Sequence, residues 1–380
     1  MSTSVVLHNQ LEVSQKNYMR TQTPPESANF RREGVPHLPL RLYFLSPSDT
    51  PLAAPDVAFM ALLKAEMLGR LGHAEAATPE EADALLLHEP WDFREWRYIQ
   101  RLRADPIVSR FAHKVFTINN DDAASGLLRG VYSCLPANRI DHELHALVPF
   151  LRAANDVVLQ RAGQPRPPAD RLAAWFGNPK SSKVRRRLYD RYKTSNSLKL
   201  MTTSSWMQYG TDERTMYAEM LHAGKFALCP SGWAPATLRL YESMAMGVAP
   251  VLVADSIELP KGPDWDEFAI RVREADLGRL ETILAPHAPR YLEMGARAHA
   301  AWAKYFSPDQ LVPYYAQALL RCIRAAQARE SSPAQEFARW RSVKMAWSNN
   351  WTLPQRVLNR IRRAFEAGKK DFSSAPLAAP

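Results

Sequence analysis

Short apolar runs alternate with longer amphipathic stretches along most of the chain. Apolar runs at residues 40–45, 84–87 and 114–118 each end in polar or turn-forming residues. After the first run, apolar side chains recur at helical spacing over about residues 54–71. Strands that are apolar on both faces and alternate with helices are typical of a parallel sheet covered by helices. The pattern therefore predicts an α/β fold.

A second series of the same kind begins after a Pro-rich stretch at residues 161–168. Its apolar runs predict strands over 172–176, 225–228, 249–253 and 268–272, and its amphipathic stretches predict helices over 183–192, 235–246 and 277–284. A long helical pattern over 291–326 is interrupted near Ser307 and Pro308. The two series predict two Rossmann-like, doubly wound domains that face each other across a cleft, with a C-terminal helical tail.

The 380 residues are too many for one ordinary hydrophobic core and favour two domains. The composition changes predict four segments. We expect a flexible leader over 1–37, an N-terminal Rossmann-like domain over 38–160, a C-terminal Rossmann-like domain over 170–330 and a basic amphipathic tail over 331–380.

The net charge of +10 is concentrated in two segments. Residues 180–193 and residues 331–380 each carry a net charge of +6, so the other residues carry about −2 together and the body of the protein is close to neutral. This distribution favours a local anion site and argues against nucleic acid as a partner. Three scattered cysteines, no signal peptide pattern and no apolar run long enough to cross a bilayer predict a cytoplasmic protein.

The segment from Phe226 to Asp255 contains the clearest pattern of candidate ligand-binding residues. A strand leads into a loop with Ser231 and Gly232, and Pro235 is suited to the first position of the helix that follows. Arg239 and Glu242 are three residues apart and share one helix face. A guanidinium can pair with diphosphate oxygens and a carboxylate can accept from two ribose hydroxyls, so this pair predicts a nucleotide-sugar site.

These residues resemble a known family. The runs Lys225-Phe-Ala-Leu-Cys-Pro-Ser-Gly, Leu238-Arg-Leu-Tyr-Glu-Ser-Met, Gly247-Val-Ala-Pro-Val and Glu258-Leu-Pro are similar to the signature of the exostosin glycosyltransferases. Upstream, Phe176-Gly177 and the arginines at 185–187 resemble the loop and basic helix of the same family. The resemblance covers about residues 172–285.

The resemblance implies two Rossmann-like domains in the glycosyltransferase B arrangement, an acceptor domain over 38–160 and a nucleotide-sugar domain over 170–330. It also implies inversion at the anomeric carbon and no essential metal or other cofactor. It implies that Arg239 holds the diphosphate of a nucleotide-sugar donor and that Glu242 holds its ribose. Further donor-binding candidates are Lys180, Ser182, Arg185, Ser231, Gly232 and Glu258. Two positions depart from the family pattern, since Ser231 stands where Arg is usual and Ile257 where Trp is usual.

An inverting transfer needs one general base that takes the proton of the acceptor hydroxyl. Ligand-contacting groups collect at the carboxyl ends of parallel strands, where His88, Glu89 and Asp121 follow two predicted strands. We expect the base to be Glu89, His88 or Asp121, in that order.

Residues 356–365 place apolar side chains on one helical stripe beside several arginines, and Trp340, Trp347 and Trp351 lie upstream. Two interpretations are open. The tail is a peripheral anchor at the inner face of an anionic membrane, or it is a helix that packs back across the other domain.

The sequence therefore predicts an enzyme that transfers a sugar from a nucleotide sugar, first of all a UDP-sugar, to a glycan or lipid-linked glycan acceptor in cell-surface polysaccharide synthesis. One alternative is a fucosyltransferase-like enzyme that uses a GDP-sugar. The other is a non-catalytic protein of the same fold that binds glycan or nucleic acid.

Overall fold

The computed structural model describes residues 38–45, 54–89, 97–122, 124–151, 155–203, 210–329 and 331–349, together with Pro354, Val357, Leu358 and Ile361. The predicted leader over 1–37 and most of the tail beyond residue 349 lie outside the described residues. The described part contains two parallel sheets with helices, so the predicted α/β class is confirmed, and the architecture is compatible with two Rossmann-like domains.

Six strands form the first sheet, in the order β2-β1-β3-β4-β5-β6, and every pairing is parallel. The strands are β1 Arg41–Leu45, β2 Ala74–Glu75, β3 Ala84–His88, β4 Val115–Asn119, β5 Arg129–Tyr132 and β6 His145–Leu147. All residues of β3, β4 and β5 are buried, as expected for central strands with both faces covered. The ends of β3 and β4 lie side by side, because His88 pairs with Ile118.

Five strands form the second sheet, in the order β11-β10-β9-β7-β8, again with parallel pairings throughout. They are β7 Arg171–Gly177, β8 Leu198–Thr202, β9 Gly224–Pro230, β10 Ala249–Val253 and β11 Ile270–Val272. Because β9 lies between β7 and β10, the loops that follow these three strands are neighbours at one edge of the sheet.

Helices connect most of the strands, as parallel pairing requires. They are α1 Ala54–Ala65, α2 Arg97–Ala104, α3 Pro106–Phe111, α4 Asp156–Arg161, α5 Lys183–Tyr192, α6 Thr211–Ala223, α7 Leu238–Ala245, α8 Leu280–Leu284, α9 Tyr291–Tyr305, α10 Pro308–Gln327, α11 Pro333–Trp340 and α12 Val343–Ser348. The amphipathic pattern explains their packing. In α5, for example, the buried side chains are Val184, Leu188 and Tyr192, one helical turn apart.

Helix α10 follows the second sheet in sequence but packs against β5 and β6 of the first sheet. The Tyr315 hydroxyl donates to Asn120 Oδ1 at 3.0 Å, just beyond the carboxyl end of β4. The loops at the carboxyl ends of the two sheets also touch, since the Ala137 amide donates to the Ser256 carbonyl at 3.0 Å. The loops after β5 and β10 are therefore held together.

The described residues divide into two compact units. Both sheets belong to one unit, and the other contains α2 and α3 together with α11 and α12. Within this smaller unit, the Arg103 guanidinium lies 5.4 Å from the Phe337 ring centroid and Phe337 packs edge-on against Trp340. In the described part of the chain we find no helix with the length and apolar character that crossing a membrane requires.

Most predicted elements are present, with two instructive differences. Strand β10 and helix α5 have the predicted bounds, and the predicted break near Ser307 separates α9 from α10. The helix predicted from Pro235 was wrong at its start, because α7 begins at Leu238 after an extended Thr237. Strands β5, β6 and β8 were not recognised, since their short runs contain charged or small residues that weaken the apolar pattern.

Candidate functional site

The donor-site candidates surround the short helix α7, which lies between β9 and β10. All but the first of its residues are fully buried, including the charged Arg239 and Glu242. Gly247 ends the helix with a φ of 66°, a left-handed conformation that favours glycine, and its amide donates to the Met244 carbonyl at 3.0 Å. The next strand begins two residues later, as the sequence pattern predicted.

Arg239 is only 8% exposed, and its Nη2 donates to the Phe176 carbonyl at the end of β7. The other two guanidinium nitrogen atoms, Nε and Nη1, have no hydrogen-bond partner among the residues that the structure describes. The guanidinium lies between two aromatic rings, 5.9 Å from the Trp175 centroid and 5.8 Å from the Tyr217 centroid. A buried cation with unused donors is costly unless an anion satisfies it.

Glu242 is 7% exposed, and each of its carboxylate oxygens already accepts one hydrogen bond. Oε1 accepts from the Asn155 amide at 3.1 Å, and Oε2 accepts from the Tyr217 hydroxyl. A carboxylate oxygen can accept two hydrogen bonds, so each oxygen of Glu242 retains one free acceptor position. Arg239 and Glu242 make no direct ion pair among the described residues; Tyr217 lies against both.

Tyr217 on α6 is the residue that the sequence reasoning missed at this site. Burial, followed by the neighbouring Glu242 carboxylate, raises the pKa of the Tyr217 hydroxyl well above its ordinary value, so the hydroxyl stays a donor. Tyr217 lies on another helix, well before α7 in the sequence, and no local motif marks it as a site residue. The gap between these side chains, lined by Trp175, Phe176, Tyr217 and Arg239 among others, is too narrow for a water molecule.

A second group of donor candidates lies at the loops after β7 and β9. The Ser182 hydroxyl caps α5 by accepting from the Arg185 amide at 3.1 Å, and it donates to the Ser231 carbonyl at 2.7 Å. The Arg185 side chain donates from Nε to the Pro230 carbonyl at 3.3 Å. Gly232 permits this approach, because a Cβ there would lie 2.8 Å from Arg185 Nη2.

This arrangement brings Ser182, Arg185, Ser231 and Gly232 into direct contact, with the guanidinium of Arg185 over the loop. The side chain of Ser231 turns to Glu274, whose Oε1 it approaches at 3.3 Å.

Lys180 and Glu258 stand apart from that contact network. Lys180 is exposed in the turn before α5, where its amide donates to Asn178 Oδ1 at 2.8 Å. Glu258 is half-buried and makes no hydrogen bond or ion pair with the residues that the structure describes.

The three candidate bases lie together at the carboxyl ends of β3 and β4. His88, Glu89 and Asp121 are all at most 5% exposed. Asn119, the last residue of β4, joins two of them. Its Nδ2 donates to Glu89 Oε2, and its Oδ1 accepts from the Asp121 amide at 3.0 Å. Asn119 is the second residue that the sequence reasoning did not single out.

His88 has a different environment from its neighbours. Burial lowers the pKa of His88, and the Asp56 carboxylate, 3.6 Å from Nε2, opposes that change. The imidazole is therefore neutral near pH 7 and lacks a charge of its own to stabilise an anion. In the described part of the chain, no three His, Cys, Asp or Glu side chains cluster as metal ligands.

Chemically, the two clusters are complementary. Around α7 and α5 the charged groups are guanidinium donors, which suit an anion with several oxygen atoms. At β3 and β4 the groups are carboxylates, of which Glu89 accepts from the Asn119 amide side chain, and carboxylates suit proton transfer. A buried carboxylate and a separate anion-binding group are the minimum that a metal-free group transfer from a diphosphate needs.

Comparison with known proteins agrees with the motif. Residues 110–286 match the sequence model of the Exostosin GT47 domain. The match includes Asn119 and Asp121 as well as the whole α7 region, and it starts well upstream of residue 172, where the motif resemblance begins.

Individual plant proteins are similar over a shorter stretch. The probable glucuronoxylan glucuronosyltransferase IRX7 of Arabidopsis thaliana is 40% identical over 96 residues, which cover 23% of this chain and 21% of that protein. The probable beta-1,4-xylosyltransferase IRX10 of Arabidopsis thaliana and the probable glucuronosyltransferase GUT1 of Oryza sativa subsp. japonica are each 43% identical over 76 residues, 20% of this chain and 18% of each relative.

The matched stretch thus spans about a fifth of the length of these curated relatives. It confirms the resemblance that the strand-loop-helix motif indicated. Residues 110–286 are therefore similar to the Exostosin GT47 domain, and the comparison supports an exostosin-family glycosyltransferase.

Proposed function

We propose that this protein is an inverting glycosyltransferase that moves a sugar from a nucleotide-sugar donor to a glycan acceptor. The observation that carries the proposal is the buried guanidinium of Arg239, with two nitrogen atoms that no group in the described chain satisfies. The names of the similar plant proteins, glucuronosyltransferases and a xylosyltransferase, support a reaction of this class in polysaccharide synthesis.

The leaving group is a nucleoside diphosphate, whose developing charge must be stabilised as the bond to the sugar breaks. Arg239 and Arg185 supply this stabilisation as preorganised donors, and the stacking of Arg239 between Trp175 and Tyr217 keeps it oriented. In this proposal the two guanidinium groups do what a divalent metal does in other transferases, so the reaction needs no metal.

The remaining acceptor positions of Glu242 would bind the two ribose hydroxyls of the nucleotide. Because the gap beside Arg239 is closed in the free protein, the packing of α6 against α7 has to open when the donor binds. Helix α6 carries Tyr217, so its movement would free both charged groups together.

The acceptor hydroxyl gives up its proton as its oxygen attacks the anomeric carbon from the face opposite the leaving diphosphate. Glu89 is our candidate for the base that takes this proton, with Asp121 next to it through Asn119. The contact between the loops after β5 and β10 supports an arrangement in which the carboxyl ends of the two sheets face each other, as in the glycosyltransferase B fold.

A thermal-shift titration of the purified full chain tests the donor proposal. UDP at about 100 times its dissociation constant should stabilise the protein by about 2.7 kcal/mol, a rise of several degrees in the melting temperature. Arg239→Ala should lose most of that rise, and Arg271→Ala, which removes an exposed arginine of β11, should keep it.

The outcomes separate the alternatives. Stabilisation by GDP in place of UDP would assign a GDP-sugar donor, as in a fucosyltransferase-like enzyme. No stabilisation by either nucleotide would contradict the assignment of the protein as a glycosyltransferase and would favour a non-catalytic protein of the same fold.

A further inference from the structure

We propose that the exposed face of α12, with Val343, Trp347 and the basic side chains of Arg341 and Lys344, binds this protein to an anionic lipid membrane. Between Phe337 and Phe365 the chain has seven Lys or Arg residues and no Asp or Glu. A segment of one sign and this length is attracted to a surface of negative lipid headgroups. The inference concerns a surface outside both clusters described above, and it does not depend on the proposed reaction.

Large apolar side chains are exposed in the same segment. Within the described part of the chain, ten large apolar side chains are exposed, and five of them lie between residues 343 and 361. Val343 is 80% exposed and Trp347 is 65% exposed. These two are four residues apart on α12, so they share one face of the helix.

Two basic side chains flank this apolar face. Arg341 and Lys344 are exposed and make no ion pair with any described residue, whereas the nearby Arg339 is paired with Glu336 at 2.8 Å. The surface therefore combines an apolar pair, of which one member is an indole, with unpaired positive charge. Tryptophan beside basic residues is the usual composition of a helix that lies in the membrane interface.

The pattern continues past residue 349. Val357, Leu358 and Ile361 are helical, and each is about half or more exposed. An exposed apolar stripe next to basic residues is typical of a helix that lies in the membrane interface, so we favour the membrane interpretation of the tail. Each basic residue held near an anionic surface adds to binding, and the apolar side chains add to it by leaving water.

A second copy of the chain is the other candidate for this surface, and the charges argue against it. A symmetric dimer through α12 would bring the positive side chains of both copies together at short distance, which is unfavourable. Anionic headgroups neutralise the same side chains. We therefore assign the surface to lipid.

Flotation of the full-length protein with vesicles tests the proposal. We expect binding to phosphatidylcholine vesicles that contain about a third phosphatidylglycerol, much weaker binding to pure phosphatidylcholine, and a strong decrease at high salt, because ions screen the attraction. No nucleotide is added, so a failure to bind vesicles would not contradict the proposed donor site.

Two double variants test whether the apolar and the basic side chains at α12 bind the vesicles. The double substitution Val343→Ser with Trp347→Ala should lower the vesicle partition coefficient about tenfold or more, and so should Arg341→Gln with Lys344→Gln. The matched controls are Leu292→Ala, which removes an exposed apolar side chain, and Arg186→Gln with Arg187→Gln, which removes two exposed charges of α5. Both controls should bind as the wild type does, and unchanged melting temperatures should show that every variant folds.

Three results would overturn the proposal. The first is a wild-type protein that does not bind the anionic vesicles even at low salt. The second is a loss of binding in the controls as large as in the α12 variants. The third is a wild-type dimer in light scattering that Trp347→Ala converts to a monomer, which would assign the surface to a second copy.

Discussion

The pair on α7 and the polar cluster at β3 and β4 are built in opposite ways. Arg239 and Glu242 are neighbours in sequence and sit within one turn of a single helix. Glu89 and Asp121 come from different strands and meet only because β3 and β4 pair in register. The first pair can be recognised from a motif, whereas the second cluster depends on the topology of the sheet.

The two regions also differ in how their charges are satisfied. At α7 the guanidinium keeps two nitrogen atoms without partners, while in the first sheet an amide side chain holds Glu89 and the Asp121 backbone. Unsatisfied buried donors point to a ligand, and a well-held carboxylate points to a defined orientation for proton transfer. If the comparison is right, substitutions in the two regions will affect different kinetic constants.

The largest effect on the rate of sugar transfer should come from substitution of Glu89, the proposed general base. Glu89→Gln keeps the shape and the contact with Asn119 but cannot take a proton. We expect kcat for sugar transfer to fall about a thousandfold, within the range that general base catalysis supplies, while nucleotide affinity stays unchanged. Steady-state kinetics with a glycan acceptor and a UDP titration check both parts.

Glu219→Gln, the same change at an exposed position of α6, is the matched control and should retain full activity. If Glu89→Gln retains activity and Asp121→Asn loses it, the base is Asp121 and the assignment of Glu89 is wrong. If both retain activity, the comparison between the two clusters fails.

Loss of the guanidinium should have the next largest effect. Arg239→Ala removes a donor that acts mainly as the diphosphate departs, so kcat should fall about a hundredfold. The free energy of unfolding should fall by less than the activation free energy rises, since only one of the three guanidinium nitrogen atoms has a hydrogen-bond partner among the described residues. A loss of stability as large as the loss of activity would identify a structural arginine.

Sequence reasoning found the second sheet and its candidate site because the information there is local. The run from β9 through α7 to β10 is contiguous, and Gly247 marks its helix end with a positive φ. In the first sheet, the strand ends with His88 and Asp121 were also recognisable from short apolar runs. The strands that lead into the two candidate sites were therefore predicted, whereas β2, β5, β6 and β8 were not.

Partners from distant elements were not predictable in this way. Tyr217 contacts Glu242 from another helix, Asn155 reaches it from the start of α4, and α10 packs on the first sheet although it follows the second. Nothing in the spacing of these residues indicates such contacts, because tertiary packing creates them. The same reason explains why the closed gap beside Arg239 was not foreseen.

Tyr217 gives a smaller and more specific test of the α7 pair. Tyr217→Phe keeps the ring over Arg239 and removes only the hydrogen bond to the Glu242 carboxylate. A hydrogen bond to a charged group is worth about 1.5–3 kcal/mol, so the change should alter UDP affinity about tenfold. Because the carboxylate gains a free acceptor position and loses its orientation, we expect weaker binding with kcat little changed.

Isothermal titration of UDP measures this effect directly. Tyr189→Phe, a half-buried tyrosine of α5 outside the pair, is the control. Equal UDP affinity in Tyr217→Phe and the wild type would show that Glu242 does not hold the ribose through this network.

The smallest effect is expected for His88. Protonation of this residue at acid pH should lower the stability of the first sheet and leave the α7 site unchanged. Burial lowers the pKa of His88 in the folded protein, so the unfolded chain binds a proton at a higher pH than the folded one does. Stability from this group is therefore complete above the ordinary histidine pKa of about 6.5 and is lost as the pH falls towards the lower folded value. His88→Gln should remove a few tenths to about 1 kcal/mol of this acid-side loss.

Denaturant unfolding at pH 7 and at pH 5 measures that difference, with the exposed His142→Gln as control. His73 and His222 also have pKa values lowered by burial, so a part of the acid-side loss should remain in the variant. The wild-type pH dependence in His88→Gln would show that the pKa of His88 is the same in the folded and the unfolded protein. A larger acid-side loss in the variant would mean that Asp56 outweighs burial and that the imidazole is charged beside Glu89. In that case the first cluster would hold a cation, and the electrostatic difference between the two regions would disappear.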